Sequence, residues 1–235
     1  MDFNQYFTNE AVETNLKNWA KEYPDLIQLS ELGRSVEDRP IWLASITNQK
    51  TGPADEKAAV WIDANIHALE LAGTTTSLKL IYTLLTKYGE DEGITRLLDT
   101  SAYYIAPRVN PDGVIPILAE HPHYLRSGVR PYPWEEKDEG LHAYWDVNKD
   151  GMITQMRIKD PNGDWKVSDL DPRLMVQRKP DEYGGEYYRI FPEGYLEEYD
   201  GYDIRMANGW QGLDYNRQFP VNWRPQSEQM GAGPY

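Results

Sequence analysis

The tightest constraint on the fold is an alternation of two periodicities in the N-terminal half of the chain. Val12, Leu16 and Trp19 recur at i, i+4 and i+7, which lines one face of a helix, and Pro24 stops it. Residues 26–32 read as a strand, Gly33-Arg34-Ser35-Val36-Glu37-Asp38-Arg39 as a polar turn, and residues 40–47 as a second strand with Trp42, Ala44 and Ile46 on one side. Together they predict a hairpin. Ala59-Val60-Trp61-Ile62 is a short apolar run of the buried-strand type, while Leu78, Ile81 and Leu85 with Leu80 and Leu84 mark a helix closed by Gly89. Residues 102–106 are the next buried strand. Strands parted by helices need crossovers, and crossovers lay helices on both faces of a sheet. The expectation is an α/β fold with a mixed, partly parallel sheet, whose ligands bind at the carboxyl ends of its strands.

From about residue 115 to 210 the texture changes. Pro, Gly, Tyr, Trp and acidic residues dominate, as in Pro131-Tyr132-Pro133-Trp134 and Glu182-Tyr183-Gly184-Gly185-Glu186-Tyr187-Tyr188, and neither periodicity persists. Abundant Tyr and Trp can pack while keeping a polar edge wet, so this stretch reads as a long ordered insertion, not a disordered tail. No internal repeat is present, and one domain over residues 1–235 is expected, with its insertion at about 115–210.

Charge narrows the partners. Lys plus Arg at 24 against Asp plus Glu at 38 gives 24 − 38 = −14, a sheath that repels phosphate backbones, so nucleic acid is not an expected partner. With no cysteine, disulfides and thiolate metal sites are excluded, although the compartment is not thereby fixed. Met1-Asp2-Phe3-Asn4-Gln5 carries no signal-peptide pattern and no stretch is long and apolar enough to span a membrane. A cytoplasmic location is the default expectation, and a secreted or periplasmic one if a leader precedes this sequence.

Three short motifs carry chemistry. In His67-Ala68-Leu69-Glu70 the imidazole and carboxylate stand three residues apart, where one helical turn lets both reach a single ion at about 2.0 to 2.2 Å. The same pair, taken alone, also fits a satisfied polar histidine beside a common glutamate. Pro107-Arg108-Val109-Asn110-Pro111-Asp112-Gly113 is a strand-exit turn, with Pro presetting φ and Gly tolerating positive φ. Gly212-Leu213-Asp214-Tyr215-Asn216-Arg217-Gln218-Phe219-Pro220 places an amide beside a guanidinium, and a planar guanidinium pairs with a free carboxylate through two hydrogen bonds.

In that order the motifs resemble those of the zinc carboxypeptidases related to carboxypeptidase A, from about residue 6 onward, with Gly33-Arg34-Ser35 and Arg39-Pro40-Ile41 ahead of the metal motif. The resemblance implies that His67 and Glu70 are zinc ligands. It implies that Asn216 and Arg217 hold the terminal carboxylate of a peptide or protein substrate with a free C-terminus, whose last peptide bond is hydrolysed. It also implies an arginine upstream of Asn216 that stabilises the oxyanion; Arg157 is the candidate, with Arg205 as alternative. Many family members carry Arg where this chain has Leu69, so that substrate contact is absent. The family's third zinc ligand, a His, and its general base, a Glu, follow the Asn-Arg pair. After Arg217 there is no histidine, and Glu228 is the only glutamate. The expectation is therefore a truncated domain, inactive by itself, with His121, His123 and His142 as the conceivable substitute ligands. Two other readings remain: a metal-dependent deacylase or amidase of the same fold, and a non-catalytic binding module derived from it.

Asp146-Val147-Asn148-Lys149-Asp150-Gly151-Met152-Ile153 matches the first eight positions of an EF-hand-type loop. Asp146, Asn148 and Asp150 would offer side-chain oxygens to calcium and Met152 its backbone carbonyl. The twelfth position is Arg157 instead of the bidentate Glu.

Overall fold

A computed structural model of the chain describes residues 1–122, 125, 126, 128, 129, 140–207, 213–225, 227–229 and 233. The chain forms two compact units, the first from Met1–Ala119, Leu125–Glu136 and Trp210–Tyr235, the second from Glu120–Tyr124 and Lys137–Gly209. Residues 131–134, singled out above for their aromatics, and His123 lie outside the described residues. Among those described, no helix is long and apolar enough to cross a membrane.

The first unit is an α/β layer. Helix α1 (Asn9–Glu22) is capped by Thr8, whose hydroxyl accepts from the Ala11 N–H, and carries Glu10 in its first turn and Lys21 in its last, as the helix dipole favours. It buries Val12, Leu16 and Trp19, the predicted face. Strands β1 (Ile27–Arg34) and β2 (Pro40–Ile46) form the expected antiparallel hairpin, running from Ile27 opposite Ile46 to Arg34 opposite Pro40, with a bulge between Glu31 and Gly33. Next come β3 (Ala58–Asp63), α2 (Leu71–Lys87), α3 (Glu92–Thr100), β4 (Ser101–Ala106) and α4 (Pro111–Ile117). The sheet order is β1-β2-β4-β3, with β4 antiparallel to β2 and parallel to β3, so the sheet is mixed and partly parallel as expected.

Its core gathers Val12, Leu16 and Trp19 from α1, Leu78, Ile81 and Leu85 from α2, and Ile27, Ala44, Ile46 and Ile105 from the strands. One expectation fails: β3, read as a buried strand, is the sheet edge, and Val60 and Trp61 are 42% and 54% exposed. A continuous apolar run encodes a strand made for cover on both faces, but that cover has to come from other elements.

The second unit is built from short antiparallel strands where the sequence offered no lasting periodicity. β5 (Gly140–Ala143) pairs with β10 (Gly194–Glu197), and β6 (Gln155–Lys159), β7 (Trp165–Val167), β8 (Met175–Gln177) and β9 (Tyr188–Pro192) form a sheet of order β6-β9-β7-β8. Strands of three to five residues are too short to show a period of two. Gly194 is required by close approach: a Cβ there would lie 2.0 Å from the His142 carbonyl oxygen across the ladder.

Candidate metal and substrate site

β3 and β4 run parallel, and both exits lead into loops at their carboxyl ends, where such sheets hold their ligands. The exit of β3 becomes the 64–70 loop. The exit of β4 becomes the Pro107–Gly113 turn, and the two are stitched together by the Val109 N–H to the Ala64 carbonyl at 3.0 Å and the Asn110 N–H to the Asn65 carbonyl at 3.1 Å. Asn110 caps α4 by accepting from the Gly113 N–H at 3.0 Å and donates its amide to the Ile66 carbonyl at 3.4 Å. Gly113 packs so closely on the loop that a Cβ would sit 2.5 Å from the Ala68 Cβ. Asp112, 2% exposed, accepts from the Ser35 hydroxyl, the Glu37 N–H and the Arg39 guanidinium, which ties the β1–β2 turn to the same place. What looked like turn chemistry is thus the bed on which the His67 loop lies.

His67 is 5% exposed. Its Nδ1 stands 2.9 Å from Glu70 Oε1, so the two side chains face each other, and Glu70 immediately precedes α2. Its Nε2 lies 3.0 Å from Asp214 Oδ1. A carboxylate accepts from whichever ring nitrogen carries a proton, and the ring is oriented with Nδ1 toward Glu70 and Nε2 toward Asp214. Burial by itself would push the Asp214 carboxyl up, but hydrogen bonds from His67 and the Asn216 N–H, with the charges of His67 and Arg126, hold it below its ordinary value. Asp214 also starts the one-turn 3-10 helix Tyr215–Arg217, its Oδ1 accepting from the Asn216 N–H at 2.9 Å. One oxygen therefore fixes the imidazole and the Asn-Arg motif together.

Arg126 completes the group. Its guanidinium is 3.5 Å from Asp214 Oδ2 and 3.8 Å from Glu70 Oε1, and its carbonyl accepts the Ala68 N–H at 2.9 Å. Arg217 is half-buried; its Nη1 donates to the Asn216 carbonyl at 3.0 Å, and no carboxylate among the described residues pairs with it. The Asn216 side chain is exposed.

The donor set suits a borderline-soft divalent ion: an imidazole nitrogen and a carboxylate oxygen on one side, and the Asp214 carboxylate orienting the ring from the other. Zinc fits His67 and Glu70 as two of its ligands. Among the described residues, no third His, Cys, Asp or Glu joins them in a group able to hold a metal ion. His121 is 3.3 Å from Asp146, and His142 stacks on Tyr195 at 4.6 Å, both within the second unit.

Two residues of this group were missed by the sequence reading. Asp214 sits inside the third motif, two positions ahead of Asn216, and shows its part only through its bonds to His67 and the Asn216 N–H. Arg126 gave no local signal, being distant in sequence from every motif. Arg157 lies on β6 of the second unit, its guanidinium 5.3 Å from the Tyr188 ring and 3.4 Å from Met175 Sδ. Arg205 is also in the second unit, where its carbonyl accepts from the Leu141 N–H.

The loop at residues 146–152 closes upon itself. Asp146 accepts from the Asp150 and Gly151 N–H groups at 3.1 and 2.9 Å, Asn148 from the Asp150 N–H at 2.9 Å, and Asp150 from the Met152 N–H at 2.9 Å. Buried Glu193 accepts from the Val147, Asn148 and Thr154 N–H groups across it. The expected calcium site gains no support: among the described residues, no group of three His, Cys, Asp or Glu side chains able to hold a metal ion gathers there.

Known carboxypeptidases resemble this chain over about half of its length. Carboxypeptidase A2 of Rattus norvegicus is 35% identical over 114 residues, covering 48% of this chain and 26% of that protein. The inactive metallocarboxypeptidase ECM14 of Saccharomyces cerevisiae is 31% identical over 111 residues, covering 47% and 26%. Among solved structures, the carboxypeptidase A from Helicoverpa armigera is 22% identical with a TM-score of 0.49, over 60% of this chain and 36% of that one. The chain spans about a quarter of the length of the curated relatives it matches. The zinc carboxypeptidase family model, in contrast, runs from residue 12 to 234 of this chain, which therefore belongs to the zinc carboxypeptidase family.

Proposed function

We propose that the chain carries two zinc ligands and the carboxylate grip of a metallocarboxypeptidase, acting on peptides or proteins with a free C-terminus. The observation that carries this reading is the His67 ring held between Glu70 and Asp214, with Arg126 beside both carboxylates. Zinc, when bound, supplies a Lewis acid and lowers the pKa of a water. Asp214 keeps the Nε2 proton in place so that Nδ1 and Glu70 are the donors. Asn216 and Arg217, positioned by Asp214, take the substrate's terminal carboxylate, for which Arg217 has no competing carboxylate among the described residues. Arg126 is the group taken to balance charge on the oxyanion, since its guanidinium stands at the ligand pair. Hydrolysis further requires a third ligand and a general base. The residues after Arg217 hold no histidine, and the expected outcome for the 235-residue chain is no peptide hydrolysis by itself. No observation favours the deacylase or the binding-module reading over this one.

The test is binding of a short peptide acid and its C-terminal amide to the zinc-loaded chain, with and without Arg217→Ala. The substitution is expected to weaken the acid about tenfold or more, as loss of a charge-assisted pair does, and to leave the amide unchanged. Equal loss on both would remove Asn216 and Arg217 from this role. Chelator-sensitive release of C-terminal amino acids by the purified chain would overturn its assignment as inactive.

A further inference from the structure

Asn65 occupies a left-handed backbone conformation, φ 57°, two residues before His67, and is 3% exposed. Left-handed φ is tolerated by Asn and Gly far better than by other residues. Gly would suffice if conformation were all that mattered. The Asn65 side chain, however, is fully engaged. Nδ2 donates to the carbonyls of His67 and Ala68 at 2.7 and 3.1 Å. Oδ1 accepts from Arg108 Nε at 3.3 Å, and the Thr74 hydroxyl lies 3.2 Å from it while also reaching the Pro107 carbonyl at 2.7 Å. The partners fix the amide's orientation, because the reversed rotamer would set oxygen against two carbonyls and NH₂ against a guanidinium.

Arg108 anchors this arrangement from behind. It is 4% exposed and donates to the Asn9 side chain at 2.9 Å and to the Phe7 carbonyl at 2.7 Å, so the amide of Asn65 is tied to the segment leading into α1. Burial pushes the Arg108 guanidinium down to about 10. It nevertheless remains a cation at neutral pH, and a cation held by neutral acceptors is a rigid donor.

We infer that Asn65 is a positioning residue for the metal site: its amide, clamped by Arg108, grips the carbonyls of His67 and Ala68 in two successive peptides and sets where the imidazole points. The inference rests on the reading of His67 and Glu70 as zinc ligands and adds to it a requirement at a residue that touches no metal. Only Asn meets every demand at this position. Gly keeps the turn but loses both donors. Asp keeps the turn and gains an ion pair with Arg108, but presents oxygen to two carbonyls.

The experiment measures zinc affinity of the chain by chelator competition for the wild type, His67→Ala, Asn65→Gly and Asn65→Asp. Cobalt absorption spectra and metal-free thermal midpoints are recorded alongside. The expected result is an affinity lowered about tenfold by Asn65→Gly, in line with the effect of outer-shell partners on other metal sites. The cobalt spectrum should change while the metal-free circular dichroism stays that of the wild type. If Asn65→Gly does not fold, Asn65→Asp carries the same comparison, with an equal or larger loss expected. Zinc affinity and cobalt spectrum unchanged in the folded variant, while His67→Ala abolishes binding, would overturn the role of Asn65 alone. Wild type and His67→Ala binding zinc equally would overturn the ligand reading and this inference with it.

Discussion

The two compact units of this chain are held by different physics. In the first, a continuous core of Leu, Ile, Val and Trp side chains lies between two helices and a sheet, and the polar groups that are buried cluster at the strand exits. In the second, few large apolar side chains are fully buried, among them Leu141 and Tyr187. Carboxylates there take the structural part instead: Glu193 and Asp146 accept backbone N–H groups, and Arg178 lies 4.2 Å from the Tyr187 ring centroid. Apolar burial is non-directional and tolerant of solution conditions, whereas a carboxylate wired to several N–H groups is directional and depends on its charge. The site sits in the apolar unit, yet within it the loops are tied by the buried carboxylates Asp112 and Asp214.

This contrast should appear first as a difference in mutational cost. Leu78→Ala in α2 removes a fully buried side chain and is expected to cost about 2–5 kcal/mol, read as lost hydrogen-exchange protection in β2 and β4. Protection in β6 and β9 should not change. Parallel loss in both sheets would show that they unfold as one cooperative body.

Glu193→Ala is the reciprocal change, leaving the N–H groups of Val147, Asn148 and Thr154 without an acceptor at about 1–3 kcal/mol. Its effect should be confined to the 146–154 loop and the β5–β10 ribbon. Acid should act in the same direction. The N–H groups of Thr154, Asn148 and Val147 hold the Glu193 carboxyl below its ordinary 4.5 against opposing burial. A depressed carboxyl contributes its full stabilisation above 4.5 and loses it as pH falls through the lower folded value. The amide shifts of Val147 and Thr154 should therefore titrate below 4.5, and Glu193→Gln should remove that titration. Calcium should do least. With no group of three metal-holding side chains gathered at the loop among the described residues, millimolar calcium is expected to leave the thermal midpoint unchanged, and a rise would reinstate the calcium loop.

The same division explains what could be read from sequence. Val12, Leu16 and Trp19, the 27–46 hairpin and the β4 run were legible because apolar periodicity records burial directly. β3 was legible as a strand but not as an edge, since exposure depends on what else joins the sheet. The strands of the second unit were invisible because hydrogen bonds to single carboxylates leave no period behind. At the site, His67 and Glu70 are three apart and announce themselves. Asp214, Arg126 and Asn65 act by position: one bonds His67 across 147 residues of sequence, one contributes a guanidinium from an unpatterned loop, and one looks like an ordinary turn asparagine.

The assignment of His67 Nδ1 and Glu70 as the metal-facing pair, with Nε2 committed to Asp214, is tested most directly by long-range proton–nitrogen NMR of the His67 ring while zinc is added. Nε2 should keep its proton throughout, and Nδ1 alone should move to a metal-bound shift. A zinc-induced shift at Nε2, or none at either nitrogen, would contradict it.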